Sequence, residues 1–247
     1  MFLACDIGNS CIKAGLFSGK KLVESYSFQD VGQFTGIYSE KKITNTGISS
    51  VVPGLTNLIV KFLDSKSFQY YCITPDSDLN LKIKYKTPRT LGTDRICSAE
   101  GAFQLNKKIK SDEILLSIDL GTATTINVIY YPGEFMGGLI APGIKIMGEA
   151  LHNFTAQLPV AGFEDFEGMI GESTRSAVAS GLINSTLGMI ERFLIFIQNT
   201  FQTKKMKIYI TGGNAEKFIP RLDFDFTYEK NLVLYGIKAV SELNIKN

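Results

Sequence analysis

Two stretches of the sequence decide the fold: Asp6-Ile7-Gly8-Asn9-Ser10-Cys11-Ile12-Lys13 and Asp119-Leu120-Gly121-Thr122-Ala123-Thr124-Thr125. In each stretch an apolar strand ends in an acidic residue, a glycine follows two positions later, and polar residues lead into another strand. Glycine lets backbone N–H groups approach an anion closely, and the neighbouring polar side chains can donate to phosphate oxygens. One such turn is common in hairpins, but two copies predict two related halves facing each other. We call them the first acid–glycine turn (residues 6–13) and the second acid–glycine turn (residues 119–125).

The segments around the two turns predict matching sets of strands. The first set covers residues 2–6, 12–17 and 22–28, which form a β-meander. The second set covers residues 114–118, a Thr- and Val-rich strand ending at Tyr131, and residues 135–141. The polar segment 106–113 is the predicted boundary, so the expected domains are residues 1–110 and 111–247.

Helical periodicity appears between and after the strands. Apolar residues at helical spacing predict helices at 55–63, 94–105, 174–201 and 232–243. Ser173 or Thr174 can cap the third of these. A strand at 207–210 enters Thr211-Gly212-Gly213-Asn214, a third loop with room for an adenine or a ribose.

The composition restricts the classes of function. The 247 residues carry 26 basic and 24 acidic side chains, so no overall field attracts nucleic acid or an anionic membrane. No apolar run approaches the ~20 residues of a membrane span, and the N-terminus lacks a signal pattern, so we expect a cytoplasmic protein. The four cysteines form no CxxC pair, and His152 is the single histidine, which excludes multi-histidine metal sites.

The chemistry of the first acid–glycine turn indicates a polyphosphate site with a metal ion. Lys13 follows the turn and can reach the same phosphates as Asn9 and Ser10. The carboxylate of Asp6 would repel those phosphates unless a cation lay between them, which favours Mg²⁺ held directly or through water. The sequences GxxxxGK[ST] and GxGxxG are absent, so the ordinary P-loop and dinucleotide interpretations have no support.

The ordered set of motifs resembles the type III pantothenate kinase family, within the superfamily of acetate and sugar kinases, heat-shock chaperones and actin. The matching segments run in order from Asp6 to Gly213: residues 6–10 with Lys13, Gly92-Thr93-Asp94-Arg95, residues 119–125, Gly137-Gly138-x-Ile140-x-Pro142-Gly143, and Thr174 with Gly181. The resemblance implies a duplicated ribonuclease-H-like (actin-like) α/β fold, with a mixed five-stranded sheet flanked by helices in each half.

The resemblance also implies an activity and a set of roles. The γ-phosphoryl group of ATP would pass to the primary hydroxyl of pantothenate, the first step towards coenzyme A, with Asp94 as the base. Residues implied to bind ATP are Asp6, Gly8, Asn9, Ser10, Cys11, Lys13 and Thr122. Residues implied to bind pantothenate are Tyr85, Gly92, Thr93, Asp94, Arg95 and Thr174. Asp119 would bind K⁺ or NH₄⁺, and the family's homodimer would bring Thr174 across the interface.

Several alternatives stay open at this point. Asp94 can be an ordinary helix-terminal carboxylate, Arg95 a surface guanidinium, and the glycines near Pro142 either a pocket wall or a structural turn that starts the next helix. Asn127 stands where the family often has an acid, so we expect one negative charge fewer near the phosphates or Mg²⁺. The chain can also be a kinase for another small hydroxy acid, or a regulatory protein that keeps the fold.

Overall fold

The computed structural model describes residues 1–106, 110–111, 113–201 and 205–245 and shows an α/β protein with two mixed β-sheets. The strands are β1 (Phe2–Ile7), β2 (Ile12–Ser18), β3 (Lys21–Phe28), β4 (Asn45–Ser50), β5 (Gln69–Cys72), β6 (Lys82–Ile83), β7 (Glu113–Leu120), β8 (Ala123–Tyr130), β9 (Glu134–Pro142), β10 (Lys205–Thr211) and β11 (Thr227–Tyr228). The α-helices are α1 (Val31–Glu40), α2 (Pro53–Ser65), α3 (Thr93–Asn106), α4 (Ile144–Phe154), α5 (Thr174–Phe201), α6 (Ala215–Phe218) and α7 (Leu232–Asn244).

The first sheet has the strand order β3-β2-β1-β4-β5. Its first three strands form the predicted meander, and β1 also runs parallel to β4. In the register of this sheet Asp6 lies opposite Lys13 on one side and Ser49 on the other. The carboxyl ends of β1 and β4 therefore meet at the edge of the sheet that carries the first acid–glycine turn.

The second sheet repeats this arrangement, with the strand order β11-β10-β7-β8-β9-β6. Strand β7 runs antiparallel to β8 and parallel to β10, so Asp119 lies opposite Thr125 and Thr211. The sheet has six strands, one more than we expected, because β6 from the earlier part of the chain pairs with β9. A two-residue strand without alternating hydrophobicity gives no usable sequence signal.

Helices α3 and α7 pack tightly against each other and join the two sheets. A Cβ on Gly101 would lie 2.1 Å from the carbonyl oxygen of Leu232, and a Cβ on Gly236 would lie 1.8 Å from that of Cys97. Leu234, Ile237 and Val240 of α7 belong to the buried cluster that includes Ala4 and Phe17 of the first sheet. The last helix of the chain thus covers the sheet formed by its first strands, and the boundary at 110/111 stays a prediction.

Helix α5 has the predicted bounds and starts at a cap. The hydroxyl of Ser173 accepts a hydrogen bond from the backbone N–H of Ser176 at 3.1 Å, as expected for one of the two predicted capping residues. Among the described residues, α5 alone is long and apolar enough to cross a membrane, by length and composition only. Its apolar side chains, including Leu182, Ile183 and Ile190, pack in the core of the second sheet. Core helices of soluble proteins share these properties.

Other local expectations have mixed outcomes. Pro142 is the last residue of β9 and Gly143 precedes α4, so the expected start of the helix at Pro142 is wrong by two residues. His152 lies exposed in the last turn of α4, where its Nδ1 is 2.8 Å from the carbonyl oxygen of Leu158. All four cysteines are free.

Candidate active site

The two acid–glycine turns lie together, as the sequence repeat predicts. The hydroxyls of Ser10 and Thr122 are 2.9 Å apart and hydrogen-bonded, which links residues more than a hundred positions distant in the chain. Both turns close in a similar way, because the N–H of Gly8 donates to the carbonyl of Cys11 at 3.2 Å and that of Gly121 to the carbonyl of Ala123 at 3.1 Å. The result is a cleft edged by exposed amide and hydroxyl groups from both turns.

The third glycine loop is built against the second acid–glycine turn. Gly212 has φ +105°, and a Cβ at this position would lie 2.5 Å from the backbone of Leu120. The N–H of Asn214 donates to the carbonyl of Leu120 at 2.8 Å, and its Nδ2 donates to that of Gly121 at 3.3 Å. The missing side chain at 212 is therefore required for close packing of two backbones, whatever ligand the loop contacts.

Three carboxylates and one ammonium group face the cleft. Burial raises the pKa of Asp6 to about 7; Lys13 opposes this shift, while the charges of Asp119 and Asp94 add to it. Burial likewise raises the pKa of Asp119 to about 6, with Lys13 lowering it and Asp94 raising it. Each of these charges affects the others, so the three acids and Lys13 belong to one electrostatic site.

The amino end of α3 is fixed to the first sheet and presents Asp94. The hydroxyl of Thr93 accepts a hydrogen bond from Ser49 at 3.1 Å and donates to the carbonyl of Ser50 at 3.2 Å, so it is occupied by protein groups. A Cβ on Gly92 would lie 2.4 Å from Oδ1 of Asp94, so glycine is needed for this position of the carboxylate. Asp94 is thereby held at the helix terminus on the cleft side.

Arg95 is not a surface residue, because only 5% of it is exposed. Its guanidinium lies over the rings of Tyr85 and Phe135, at 5.8 and 5.7 Å from their centroids. Its Nε donates to Oδ1 of Asn127 at 2.8 Å. The structure therefore brings Tyr85 and Arg95 into contact, with Asp94 next to Arg95 in the chain.

Asn127 lies beside Arg95 and is fully buried. Its amide nitrogen donates to the hydroxyl of Ser117 at 3.1 Å, and Ser98 donates to the same hydroxyl at 3.0 Å. The structure holds its amide between Arg95 and Ser117, and the expected effect of residue 127 on the charge near the phosphates or Mg²⁺ stays a prediction. A side chain on β8 two residues from Thr125 points to the same face of the sheet but lies deeper in the protein.

The glycines of β9 and its exit have a structural reason. Gly138 has φ +155°, and a Cβ there would lie 1.7 Å from the carbonyl oxygen of Ile126. Gly143 donates its N–H to the carbonyl of Thr122 at 3.0 Å, and a Cβ at this residue would lie 2.5 Å from that oxygen. The end of β9 thus packs directly against the backbone of the second acid–glycine turn.

Thr174 lines a groove that none of the other predicted acceptor-binding residues lines. It is exposed at the start of α5 and lines an apolar groove of about 970 Å³ between α4 and α5. The groove is also lined by Ile146, Leu151 and Phe154, and 89% of Phe154 is exposed. Within the described chain, no hydrogen bond joins Thr174 to Tyr85, Asp94 or Arg95.

The site has no complete metal cage formed by protein side chains. In the described ranges, no three His, Cys, Asp or Glu side chains are grouped closely enough to hold a metal ion. The carboxylates of Asp6 and Asp119 are hard oxygen donors at the cleft, which suits Mg²⁺ or an alkali cation with further oxygens from phosphate and water.

Comparison with known proteins gives the family. The family model described as "Type III pantothenate kinase" matches residues 2–195. The chain belongs to the type III pantothenate kinase family. Its relatives include type III pantothenate kinases of Cytophaga hutchinsonii, 32% identical over 99% of this chain and 100% of the relative, and of Flavobacterium johnsoniae, 31% identical over the full length of both. That of Azobacteroides pseudotrichonymphae is 31% identical over 97% and 96% of the two chains.

Solved structures confirm the fold. A Campylobacter jejuni protein described as a Baf family transcriptional activator superposes with a TM-score of 0.62 at 20% identity, over 98% of each chain. The ROK hexokinase of Thermus thermophilus superposes with a TM-score of 0.52 at 13% identity, over 99% of each chain. The predicted two-lobed kinase fold is therefore confirmed, and this type III pantothenate kinase family member is a phosphotransferase.

Several residues that shape the site of this family member are not indicated by the sequence. Ser49 and Ser50 at the end of β4 hold Thr93, and Ser98 and Ser117 complete the network around Asn127. The signal was present in part: Ser117 precedes Asp119 by two positions on the same strand, so both side chains point to one face. Nothing in the local sequence around Ser49 indicates its partner.

Proposed function

We propose that the protein transfers the γ-phosphoryl group of ATP to the primary hydroxyl of pantothenate, giving 4′-phosphopantothenate, the first step of coenzyme A biosynthesis. The observation that carries the proposal is the hydrogen bond between Ser10 and Thr122, which brings the two acid–glycine turns into one cleft beside Asp94. Family membership supplies the acceptor, and the cleft supplies the groups for a polyphosphate.

The phosphates of ATP would bind between the two turns. The backbone N–H groups around Gly8 and the side chains of Asn9, Ser10 and Thr122 offer neutral donors, and Cys11 continues the loop. Lys13 forms no ion pair within 4 Å among the described residues, so its ammonium group is available to a phosphate oxygen. The third loop at Gly212 and Gly213 lies next to this cleft and would accept the nucleoside.

Cations would complete the site. Asp6 would hold Mg²⁺, directly or through water, and Asp119 would hold K⁺ or NH₄⁺; the two cations neutralise the charge that accumulates on the phosphates. Both carboxylates have raised pKa values, because they are buried and near other acids, so a bound cation also relieves their mutual repulsion.

Asp94 would accept the proton of the attacking hydroxyl. Phosphoryl transfer through a loose transition state depends mainly on alignment and charge neutralisation, so the base acts late and need not be strong. The N-terminus of α3 stabilises the carboxylate by ~0.3–1 kcal/mol. Gly92 and Thr93 fix the helix terminus, which sets the position of the base relative to the cleft.

Pantothenate would bind in the pocket of Tyr85 and Arg95. The guanidinium suits the carboxylate of the acceptor, and the ring of Tyr85 offers an apolar wall for its hydrocarbon part. The primary hydroxyl would then lie towards Asp94, the residue next to Arg95 in the helix.

A second copy of the chain would complete the pocket. The groove between α4 and α5 is apolar and open, and nearby Met169 and Ile170 are 73% and 83% exposed. Apolar surface of this kind favours burial against a partner. A homodimer through this face would cover Phe154 and bring Thr174 of each copy to the acceptor site of the other. We place the enzyme in the cytoplasm.

The dimer has its own test. Phe154→Asp puts a charge in the proposed interface and should convert the protein to monomers in size-exclusion chromatography with light scattering, with loss of pantothenate turnover. Lys61→Asp, on exposed α2, is the matched control and should leave the mass unchanged. A wild-type protein of monomer mass would contradict the interface.

The activity is tested by release of ADP from ATP with Mg²⁺, K⁺ and pantothenate. Asp94→Asn should lower kcat by roughly 10²-fold or more, as for loss of a general base. Asp76→Asn, which removes an exposed carboxylate paired only with Arg89, is the control and should keep the wild-type rate. Turnover with another small hydroxy acid but none with pantothenate would identify a different kinase, and an unchanged rate in Asp94→Asn would remove the base assignment.

A further inference from the structure

Glu100 is a fully buried carboxylate to which the proposed function gives no role. It lies on α3, the helix that also carries Asp94 and Arg95, and 0% of it is exposed. Within the described ranges, no basic side chain lies within 4 Å of its carboxylate. Burial of an unpaired carboxylate is costly unless other groups donate hydrogen bonds to it. The donors that compensate Glu100 therefore show what this side chain holds in place.

The donors are N–H groups of residues 80 and 81. Oε1 of Glu100 accepts a hydrogen bond from the backbone N–H of Leu81 at 2.9 Å, and Oε2 accepts one from the side-chain amide of Asn80 at 3.0 Å. Burial raises the pKa of Glu100, whereas these hydrogen bonds and the backbone N–H of Asn80 oppose the shift. The donors thus favour the ionised carboxylate. Glu100 is therefore attached to the two residues that directly precede β6.

Strand β6 has little else to fix its register. It consists of two residues at the edge of the second sheet, and its neighbourhood has two backbone hydrogen bonds to β9. The N–H groups of Lys82 and Lys84 donate to the carbonyls of Gly133 and Phe135, each at 2.9 Å. Register is weakly specified in a pairing this short. A contact outside the sheet can therefore decide which residues of this segment face the protein interior.

The side chains around β6 alternate in direction. Leu81, Ile83 and Tyr85 pack in the apolar cluster beside α3, and the two lysines between them are exposed. A slip of one residue would bury the lysines, which disfavours it. A slip of two residues keeps apolar side chains inside but can place Ile83 where Tyr85 lies. Only the observed register brings the N–H of Leu81 and the amide of Asn80 to Glu100 together.

The register of β6 determines where Tyr85 lies relative to Arg95. The guanidinium carbon of Arg95 is 5.8 Å from the centroid of the Tyr85 ring, which packs edge-on against Phe135 at 6.2 Å between centroids. A Cβ on Gly137 would lie 3.4 Å from the same ring, so β9 also contacts it. Arg95 and Glu100 belong to one helix. Glu100 therefore fixes the segment that carries Tyr85 to the helix that carries Arg95.

We propose that Glu100 is a positioning residue for the acceptor: by accepting hydrogen bonds from residues 80 and 81, it fixes the register of β6 and so places the ring of Tyr85 beside Arg95. The inference rests on the proposed function, because Tyr85 and Arg95 form the proposed binding site for pantothenate. It goes beyond that function in assigning part of acceptor binding to a carboxylate that does not touch the acceptor.

Glu100→Met tests the inference, because it removes both acceptor oxygens and keeps a side chain of similar length. We expect KM and Kd for pantothenate to rise about 10-fold, with kcat and KM for ATP within about threefold of the wild type, since contacts made in binding are lost and the base is not. Steady-state kinetics and calorimetry measure these constants. Hydrogen exchange followed by mass spectrometry should show loss of protection at residues 80–85.

Two further variants separate hydrogen bonding from charge. Glu100→Gln keeps an oxygen for the N–H of Leu81, and its NH₂ group can donate to the amide oxygen of Asn80 once that amide has turned over. KM for pantothenate should therefore stay within about threefold of the wild type. Glu100→Asp keeps the charge but withdraws it by one methylene group, so KM should rise about fivefold or more. The Asp variant tests the inference even if the Met variant does not fold.

Asn244→Ala is the matched control, because it releases the same segment at another point. The side chain of Asn244 accepts from the N–H of Asp78 at 3.0 Å and donates to the carbonyl of Asp78 at 2.9 Å. Loss of these contacts should lower Tm but should leave KM for pantothenate within about threefold of the wild type. An increase equal to that of Glu100→Met would show that general loosening of the segment weakens acceptor binding, and would overturn the inference.

The remaining outcomes separate this inference from the proposed function. Unchanged hydrogen exchange or unchanged KM for pantothenate in Glu100→Met, equal increases of KM for both substrates, or a Gln variant as impaired as the Met variant would overturn the inference alone. A wild-type protein that neither binds nor phosphorylates pantothenate would overturn the proposed function and the inference with it.

Discussion

The two acid–glycine turns share the acid and the glycine but differ in length and in charge: four residues lie between the paired ends Ile7 and Ile12, and three between Leu120 and Thr124. In the first turn Asp6 lies opposite Lys13 across the strand pair, and in the second Asp119 lies opposite Thr125. Directly opposed residues point to the same face of a sheet, so each acid has a fixed partner beside it. The duplication therefore keeps the acid and the glycine, while Lys13, the cation that acts on both acids, comes from the first turn.

The difference extends to the two acids. The pKa of Asp6 reaches about 7 and that of Asp119 about 6, each chiefly through burial. Lys13 lowers the pKa of both acids and Asp94 raises the pKa of both, so the two carboxyls share one electrostatic environment. The first turn thus contributes the cation, and each turn contributes one acid with a raised pKa.

Lys13→Thr places opposite Asp6 the residue type that Thr125 places opposite Asp119. This substitution should reduce activity more than any other change considered below. We expect kcat to fall roughly 10²-fold, because one charged group that stabilises the transition state is lost. Steady-state kinetics with ATP and pantothenate measure the change. Lys20→Thr at the exposed end of the same hairpin is the control; an equal loss in both variants would show that the cation of the cleft has no special role.

Gly236→Ala breaks the contact that joins the two sheets. A Cβ would lie 1.8 Å from the carbonyl oxygen of Cys97, so α3 and α7 must move apart. Overpacking of this kind destabilises by about 1–3 kcal/mol. We therefore expect Tm, measured by calorimetry, to fall by roughly 3–10 °C.

Gly36→Ala on the exposed face of α1 is its control, because nothing lies within 4 Å of a Cβ there. In that helix the substitution should be neutral or stabilising by up to ~1 kcal/mol. If Gly236→Ala proved as stable as Gly36→Ala, the close packing of α3 on α7 would not hold the two sheets together.

Asp6→Asn and Asp119→Asn compare how the two acids affect the pH dependence of stability. These two variants have the smallest expected effect. Each acid has a higher pKa in the folded than in the unfolded chain, so the folded state binds the proton more tightly. The resulting contribution to the free energy of unfolding is complete below pH ~4. It is lost as the pH rises to about 7 for Asp6 and about 6 for Asp119. Without metal or nucleotide, both variants should be more stable than the wild type at pH 8, by on the order of 1–3 kcal/mol.

The increase in stability over the wild type should be larger for Asp6→Asn than for Asp119→Asn. For both variants it should become smaller as the pH is lowered towards 5. Denaturant titrations at several pH values, in buffer with a metal chelator, measure it. A gain independent of pH would show that the acids are not destabilising in the free protein.

Much of the fold was predictable because the strands of the two meanders and helices α2, α3, α5 and α7 have clear periodicity or bounding turns. Helix α1 and strands β4 and β5 were missed. Strand β4 reads Asn45-Thr46-Gly47-Ile48-Ser49-Ser50 and is polar in composition although its middle is buried. Its burial comes from β1 and α7, which lie far away in the sequence.

The site was predictable where the residues that bind a ligand also determine the conformation of the local backbone. Glycine and acid at fixed spacing identified the two turns, and the resemblance identified Asp94. The environments of Arg95 and Asn127 were not predictable. Arg95 lies on α3 and Asn127 on β8, and the two side chains meet only through tertiary packing. The roles of individual ligand-binding residues stay predictions.

Helix α7 also has a consequence for biosynthesis of the chain. Its residues Leu234, Ile237 and Val240 close the apolar surface around Ala4 and Phe17. A ribosome adds residues from the N-terminus at roughly 5–20 per second, so the earliest strands to emerge remain uncovered until the last helix is released. During that interval of many seconds the nascent polypeptide exposes an apolar face of the first sheet, and chaperone capture there should end once α7 has emerged and packed.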